Sequence, residues 1–198
     1  MTETLVFGYG SLLSLESLRA SVPNAKHLLP AYVKGFRRDF SLLDSEGWVS
    51  TNLDVAGVPF CAVDVHESEN GEDVVNGVVF GVDGPDLPAL LKRERDYELI
   101  ETIAYGFHTD EPLGSCFVFA AGKHNGQYDF HSEAQARYLE ICLDGARDHG
   151  DAFYETFLRT TYIGELPVCD VPSLRIKHGS KATLKDRFKK MSLPVATR

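Results

Sequence analysis

Between positions 31 and 82 the chain carries three β-rich segments, about 31–42, 58–65 and 74–82, and no helical periodicity separates them. Asn70-Gly71, Asn76-Gly77 and Asp83-Gly84 punctuate the run as turn signals. Strands resume at about 100–107 and 116–121, with Asn125-Gly126 as a further turn. Helices are grouped after them. Ser132-x-x-Gln135 is a capping box that opens a helix with Ala136, Leu139, Leu143 and Ala146 on one face, and a second helix runs from Asp151 through Phe153, Phe157 and Leu158. Strands and helices are thus segregated rather than alternating. That pattern specifies an α+β fold, with a small mixed or mainly antiparallel sheet curled towards a barrel and surrounded by helices.

The N-terminus adds one strand-turn-helix unit. Leu5-Val6-Phe7 reads as a short buried strand, Gly8-Tyr9-Gly10-Ser11 breaks it, and Ser14 caps a helix carrying Leu15 and Leu18. A dinucleotide fingerprint is excluded, because Gly8-x-Gly10-x-x-Leu13 lacks the third glycine and no βαβ alternation follows. Consecutive backbone N–H groups from Gly8 to Leu12 can bind a carboxylate or another anion, with glycine giving close access to the main chain. The alternative is an ordinary strand-to-helix turn.

A helix is predicted over Leu87 to Glu98, capped by the Asp83–Asp86 turn, with Pro88 in its first turn. Within it Glu94, Tyr97 and Glu98 fall at i, i+3 and i+4 on one face, while Arg93 and Arg95 point aside. If that face lines a pocket, burial and a charged Glu98 both raise the pKa of Glu94 towards the range of a general acid/base. The alternative is a solvated charged helix.

Length and charge narrow the partners. At 198 residues, 43% hydrophobic and 25% charged, the chain matches one compact domain that needs neither disulfides nor a structural metal. The domain is expected over 1–176, and 177–198 forms a basic tail. That tail holds seven Lys/Arg against Asp186, so it carries +6 while the rest of the chain carries −15. Leu184, Phe188 and Met191 fit a short amphipathic helix, expected to dock on the acidic body. A net charge of −9 repels nucleic acid and anionic lipid, so neither partner is expected. Cys61, Cys116, Cys142 and Cys169 form no C-x-x-C pair, and the seven histidines show no helical ligand spacing. No metal or other cofactor is expected, the thiols should be free and buried, and the absence of a signal or spanning segment points to the cytoplasm.

Taken together, the loop and the Glu94 segment resemble the γ-glutamylcyclotransferase superfamily, and its ChaC-like branch in particular. Phe7-Gly8-Tyr9-Gly10-Ser11-Leu12 matches the family's Y-G-S-L loop, and Arg93-Glu94-x-x-Tyr97 matches the R-E-x-x-Y segment that contains its catalytic glutamate. Gly35-Phe36-Arg37-Arg38-x-Phe40 resembles the G-[FWY]-x-R-x-F strand. Gly77-Val78-Val79-Phe80 and Tyr138 with Gly145-Ala146 extend the likeness across most of 5–160. One departure concerns the loop: ChaC sequences continue with an apolar residue and tryptophan, whereas here Leu13 is followed by Ser14, and Trp48 sits elsewhere.

The resemblance implies a small mixed β-barrel with surrounding helices, and an enzyme of the lyase or acyl-transfer type. Its reaction, part of glutathione metabolism in some members, closes a γ-glutamyl amide to 5-oxoproline and releases the amine. Glu94 would be the catalytic acid/base, with Tyr9, Gly10, Ser11, Leu12 and Tyr97 binding the substrate. Two other readings stay open: a non-catalytic binding or interaction domain on the same fold, and a γ-glutamyl amidohydrolase or acyltransferase.

Overall fold

The computed structural model describes residues 4–25, 28–44, 58–69, 71–95 and 97–174. The predicted tail helix and Trp48 lie outside them.

Among the described residues, nine strands divide between two sheets. Strands β1 (Thr4–Gly8), β2 (Leu29–Lys34), β5 (Val74–Val82), β6 (Glu98–Gly106) and β7 (Pro112–Ala120) close a barrel in the order β1-β5-β2-β6-β7. Its neighbours are antiparallel except β1 and β7, whose parallel pairing completes the ring. Closure removes the unpaired edges that a sheet of this size would otherwise expose. The second sheet has the order β4-β3-β8-β9, from β3 (Phe36–Asp44), β4 (Phe60–Glu67), β8 (Thr161–Ile163) and β9 (Leu166–Pro167). The α+β class and the mixed barrel read from the sequence are what the chain forms.

Gly35 accounts for the split between sheets. The sequence reads 31–42 as one β-rich segment, but Gly35 adopts φ +78°, a conformation that costs a residue with a Cβ dearly. There the chain leaves the barrel, and β3 starts the other sheet. Asn76-Gly77, expected as a turn, is instead the middle of β5. Asn76 is fully buried and Gly77 lies against the ring of Phe7. Two turn-favouring residues were thus overridden by packing: one serves as a polar anchor, the other makes room for an aromatic ring.

Among the described residues, four α-helices flank the sheets. Helix α1 (Leu15–Arg19) is capped by Ser14, whose Oγ accepts from the Ser17 amide at 3.3 Å, and it buries Leu18 as the periodicity predicts. Helix α2 (Leu87–Arg93) has Pro88 in its first turn but stops five residues before the predicted Glu98. Helices α3 (Glu133–Asp148) and α4 (Asp151–Thr160) are joined by a tight turn, with Gly150 at φ +96°. Ser132 caps α3 as predicted, its Oγ accepting from Gln135 N at 3.3 Å. The Gln135 side chain does not return the bond; it crosses to β4 and pairs with both backbone groups of Cys61 at 2.8 and 2.9 Å. Cys61, Cys116 and Cys142 are free and buried, and Cys169 is half-buried.

Helix α3 presses on the 3-10 turn Ser11–Leu13, and Gly145 makes that approach possible. A Cβ at Gly145 would sit 2.6 Å from Ser14 N and 2.7 Å from the Leu13 carbonyl carbon, both main-chain atoms that cannot swing away. Gly145→Ala is therefore expected to destabilise the protein by about 1–3 kcal/mol through overpacking, although alanine gains about 1 kcal/mol of helix propensity over glycine. A urea midpoint equal to or above that of the wild type would disprove this close packing.

Candidate functional site

Two segments more than eighty residues apart meet at one hollow. It is lined by Tyr9, Gly10, Ser11, Leu12, Val63, Glu94, Tyr97, Phe119 and Tyr138. All six site residues read from the sequence are among them. The first segment leaves β1 at Gly8, where an added Cβ would stand 2.7 Å from Leu12 Cβ, so the loop folds back tightly on the strand. Leu13 N donates to Gly10 O at 3.0 Å and Ser14 N to Ser11 O at 3.2 Å. As at any helical start, the amides before these donors, those of Ser11 and Leu12, fall outside the turn's own bonds.

Arg38 fixes this loop from beneath. Its guanidinium, fully buried in β3, donates to Tyr9 O (3.0 Å), Asn76 O (2.6 Å), Asn76 Oδ1 (2.8 Å), Thr161 Oγ1 (2.7 Å) and Thr160 Oγ1 (3.0 Å). Its plane also lies 4.1 Å from the Phe157 ring centroid. Burial pulls its pKa down to about 9, so it remains a cation at neutral pH. One side chain thereby ties the loop, β5 and the end of α4 together.

The second segment departs from its predicted form. Glu94 caps the C-terminus of α2 at φ −94° and ψ 32°, its N–H donating to Leu90 O at 2.9 Å, and Tyr97 N closes the turn on Glu94 O at 3.0 Å. A turn, not a helix face, brings Glu94 and Tyr97 to the hollow. Glu98 is exposed and pairs with Ala120 at the start of β6, so it shares no face with Glu94. Nor does Arg93 point aside. It is buried, its Nε lies 3.2 Å from Glu94 Oε1, and its Nη2 donates to Ser11 Oγ at 3.0 Å and Ser17 Oγ at 2.9 Å. Arg93 therefore links the acid to the loop. The helical reading failed because β6 pairing claims the chain from Glu98 onward, and the local spacing carries no sign of that.

The Glu94 side chain is 12% exposed. Burial raises its carboxyl pKa above the ordinary value, against the opposing pull of Arg93. The expected direction is present, but its cause is burial, not Glu98. Three phenols complete the wall. Tyr97 OH donates to Val63 O at 3.2 Å, Val63 N donates to Tyr138 OH at 3.2 Å, and Tyr9 OH donates to Phe119 O. Burial pushes all three well above the usual tyrosine range, so they stay neutral hydroxyls. Val63 and Phe119 are additions to the sequence reading; Tyr138, already named in the sequence likeness but not as a site residue, joins the wall from α3.

The hollow encloses about 20 Å³, room for roughly one water. Glu94 is the one carboxylate among its lining residues, too few oxygen ligands for a calcium or magnesium cage.

No family model and no curated protein matches the sequence. Solved structures do match the fold. A γ-glutamyl cyclotransferase superposes with a TM-score of 0.62 at 17% identity, covering 96% of this chain and 98% of the other. An uncharacterized human protein gives 0.57 at 17% identity, with the same coverage of 96% and 98%. A yeast γ-glutamyl cyclotransferase specific to glutathione gives 0.55 at 15% identity, covering 81% of this chain and 96% of its own. The chain thus has the fold of the γ-glutamyl cyclotransferases, as the Y-G-S-L loop and the Arg93-Glu94-x-x-Tyr97 segment imply.

Proposed function

We propose that this protein is a γ-glutamylcyclotransferase-like enzyme that needs no cofactor, closing a γ-glutamyl amide to 5-oxoproline and releasing the amine. The observation that carries this reading is a single buried carboxylate, Glu94, facing the Tyr9–Leu12 loop across a hollow walled by neutral phenols.

Cyclisation suits those groups. The α-amine of the glutamyl moiety attacks its own γ-carbonyl carbon; a ring C–N bond forms and the amide C–N bond breaks. Glu94 takes the proton from the attacking amine and returns it to the leaving nitrogen, so no covalent enzyme intermediate is required. Both reacting groups belong to one molecule, and holding them folded supplies much of the acceleration. Amides of Ser11 and Leu12 are placed to receive the carboxylate or the developing oxyanion. Arg93 keeps Glu94 oriented and joined to Ser11. A γ-glutamyl group is larger than the hollow, so the wall side chains move outward to admit it.

Incubation with a panel of γ-glutamyl amides, glutathione included, is expected to yield 5-oxoproline in amounts equal to the amine released. Free glutamate in its place would assign hydrolysis. No turnover, together with saturable binding of an acidic small molecule, would assign a binding domain. Burial of Glu94 also sets the pH profile: the base works ionised, so the acidic limb of kcat/KM is expected above the ordinary carboxylate range. A limb at an unshifted carboxylate value would remove Glu94 as the base.

A further inference from the structure

A second, larger cleft of about 700 Å³ opens on the β4-β3-β8-β9 sheet, away from the Glu94 hollow. Its polar floor is built from three elements. Asp39 comes from β3, His66 from β4 and His124 from the loop after β7, and one potential ligand atom of each lies within 4.8 Å of the others. Asp39 pairs with Asp64 and Arg37 with His66 across the β3–β4 ladder. Asp39 and His66 are therefore diagonal neighbours on one face of the sheet.

Three atoms here are buried without a hydrogen-bond partner among the described residues: Asp39 Oδ1, Ser41 Oγ and His66 Nδ1. Ser41 is only 8% exposed and lines the cleft. His66 Nδ1 and Asp39 Oδ2 approach to 3.8 Å, beyond hydrogen-bond reach, so their pairing leaves these atoms unsatisfied, and buried polar atoms without a partner cost free energy. The charges point the same way. Asp39 stands directly opposite Asp64, a second and fully buried acid. Arg37 does not neutralise the pair, for its guanidinium stacks 3.7 Å over the Tyr162 ring and lies 4.0 Å from Glu165.

The third group is held in place rather than left to chance. Asp64 accepts from Ala121 N at 2.8 Å and Gly122 N at 3.2 Å, Asn125 Oδ1 accepts from Leu43 N at 3.0 Å, and Gly126 N donates to Ser41 O at 2.7 Å. His124 is anchored on both sides. Its ring meets that of His66 edge-on, with centroids 4.8 Å apart.

We propose that Asp39, His66 and His124 bind a divalent first-row transition cation on the floor of this cleft, leaving coordination positions open to water or a small anionic ligand. Two imidazoles and one carboxylate select such an ion over calcium or magnesium, which prefer an all-oxygen shell. Ligand atoms around a tetrahedral zinc stand about 3.3 Å apart, so the present spacing needs side-chain rotation only. Phe40, Tyr128, Phe130 and Ile163 give the cleft apolar walls, and Ser41 Oγ is placed to bond a metal-held water or ligand. No sequence signal marks this cluster, because no two of its residues share a helix and their spacing along the chain fits no ligand motif.

Calorimetric titration of the chelator-stripped, untagged full chain with Zn²⁺ tests this, with Co²⁺ visible absorption reporting the coordination geometry. One equivalent is expected to bind, with the absorption of a four- or five-coordinate ion. His124→Ala, at an exposed position, and the isosteric Asp39→Asn are each expected to weaken binding at least about 10-fold. His131→Ala, an exposed histidine outside the cleft, and Glu94→Gln should leave it unchanged. Failure to bind tighter than about 10 μM, or equal affinity in the wild type and His124→Ala, overturns the proposal. Because the readout is binding, the result is independent of whether the Glu94 site forms 5-oxoproline.

Discussion

Glu94→Gln is expected to lower kcat/KM for a γ-glutamyl substrate at least about 100-fold, about 2.7 kcal/mol of transition-state stabilisation. Glutamine keeps the volume and the turn after α2 but can neither take the amine's proton nor return it. The same substitution should stabilise the fold. Burial raises the carboxyl pKa in the folded state, so ionisation costs stability. That cost is absent below the unfolded-state pKa, grows as pH rises through the folded-state value, and is fully present above it. Glu94→Gln should therefore melt higher than the wild type at neutral pH, with the difference shrinking as the pH falls below the ordinary carboxylate range. Lost activity with a gain in stability is the signature of a group retained for chemistry. Retained turnover would remove Glu94 from the mechanism, and a lower neutral-pH melting temperature would mean that its ion pair with Arg93 outweighs its desolvation.

Arg38→Met should have the largest effect on stability. Methionine fills similar space but strands the buried acceptors Tyr9 O, Asn76 O, Asn76 Oδ1 and Thr161 Oγ1. Removing one member of a buried charged network costs about 3–5 kcal/mol. For a domain of this size that lowers Tm by roughly 6–20 °C. Thermal unfolding followed by circular dichroism measures it directly. A change under about 1 kcal/mol would show that the loop, β5 and α4 hold their places without Arg38.

The elements with local signals were legible in the sequence. β5 lies where its hydrophobic run placed it, and Ser14 and Ser132 cap the predicted helices. These depend on side chains within a few residues of one another. Asn76-Gly77 and Glu98 were misread because their partners are remote: Asn76 is claimed by Arg38 and by Phe153 O at 2.9 Å, and Glu98 by strand pairing with Ala120. Arg93 carried the right motif but the wrong expected direction, since its acceptors on Ser11 and Ser17 lie 82 and 76 residues earlier in the chain.

By itself the sequence determined the α+β class, the strand-turn-helix opening and the six residues Tyr9, Gly10, Ser11, Leu12, Glu94 and Tyr97 that line the hollow. Only the tertiary structure decided that a C-cap turn aims Glu94 there, that burial and not Glu98 raises its pKa, and that Arg38 and Arg93 bind the two segments together. Periodicity and caps are short-range properties written into neighbouring residues. Desolvation and cross-chain hydrogen bonds exist only once distant segments have been brought into contact.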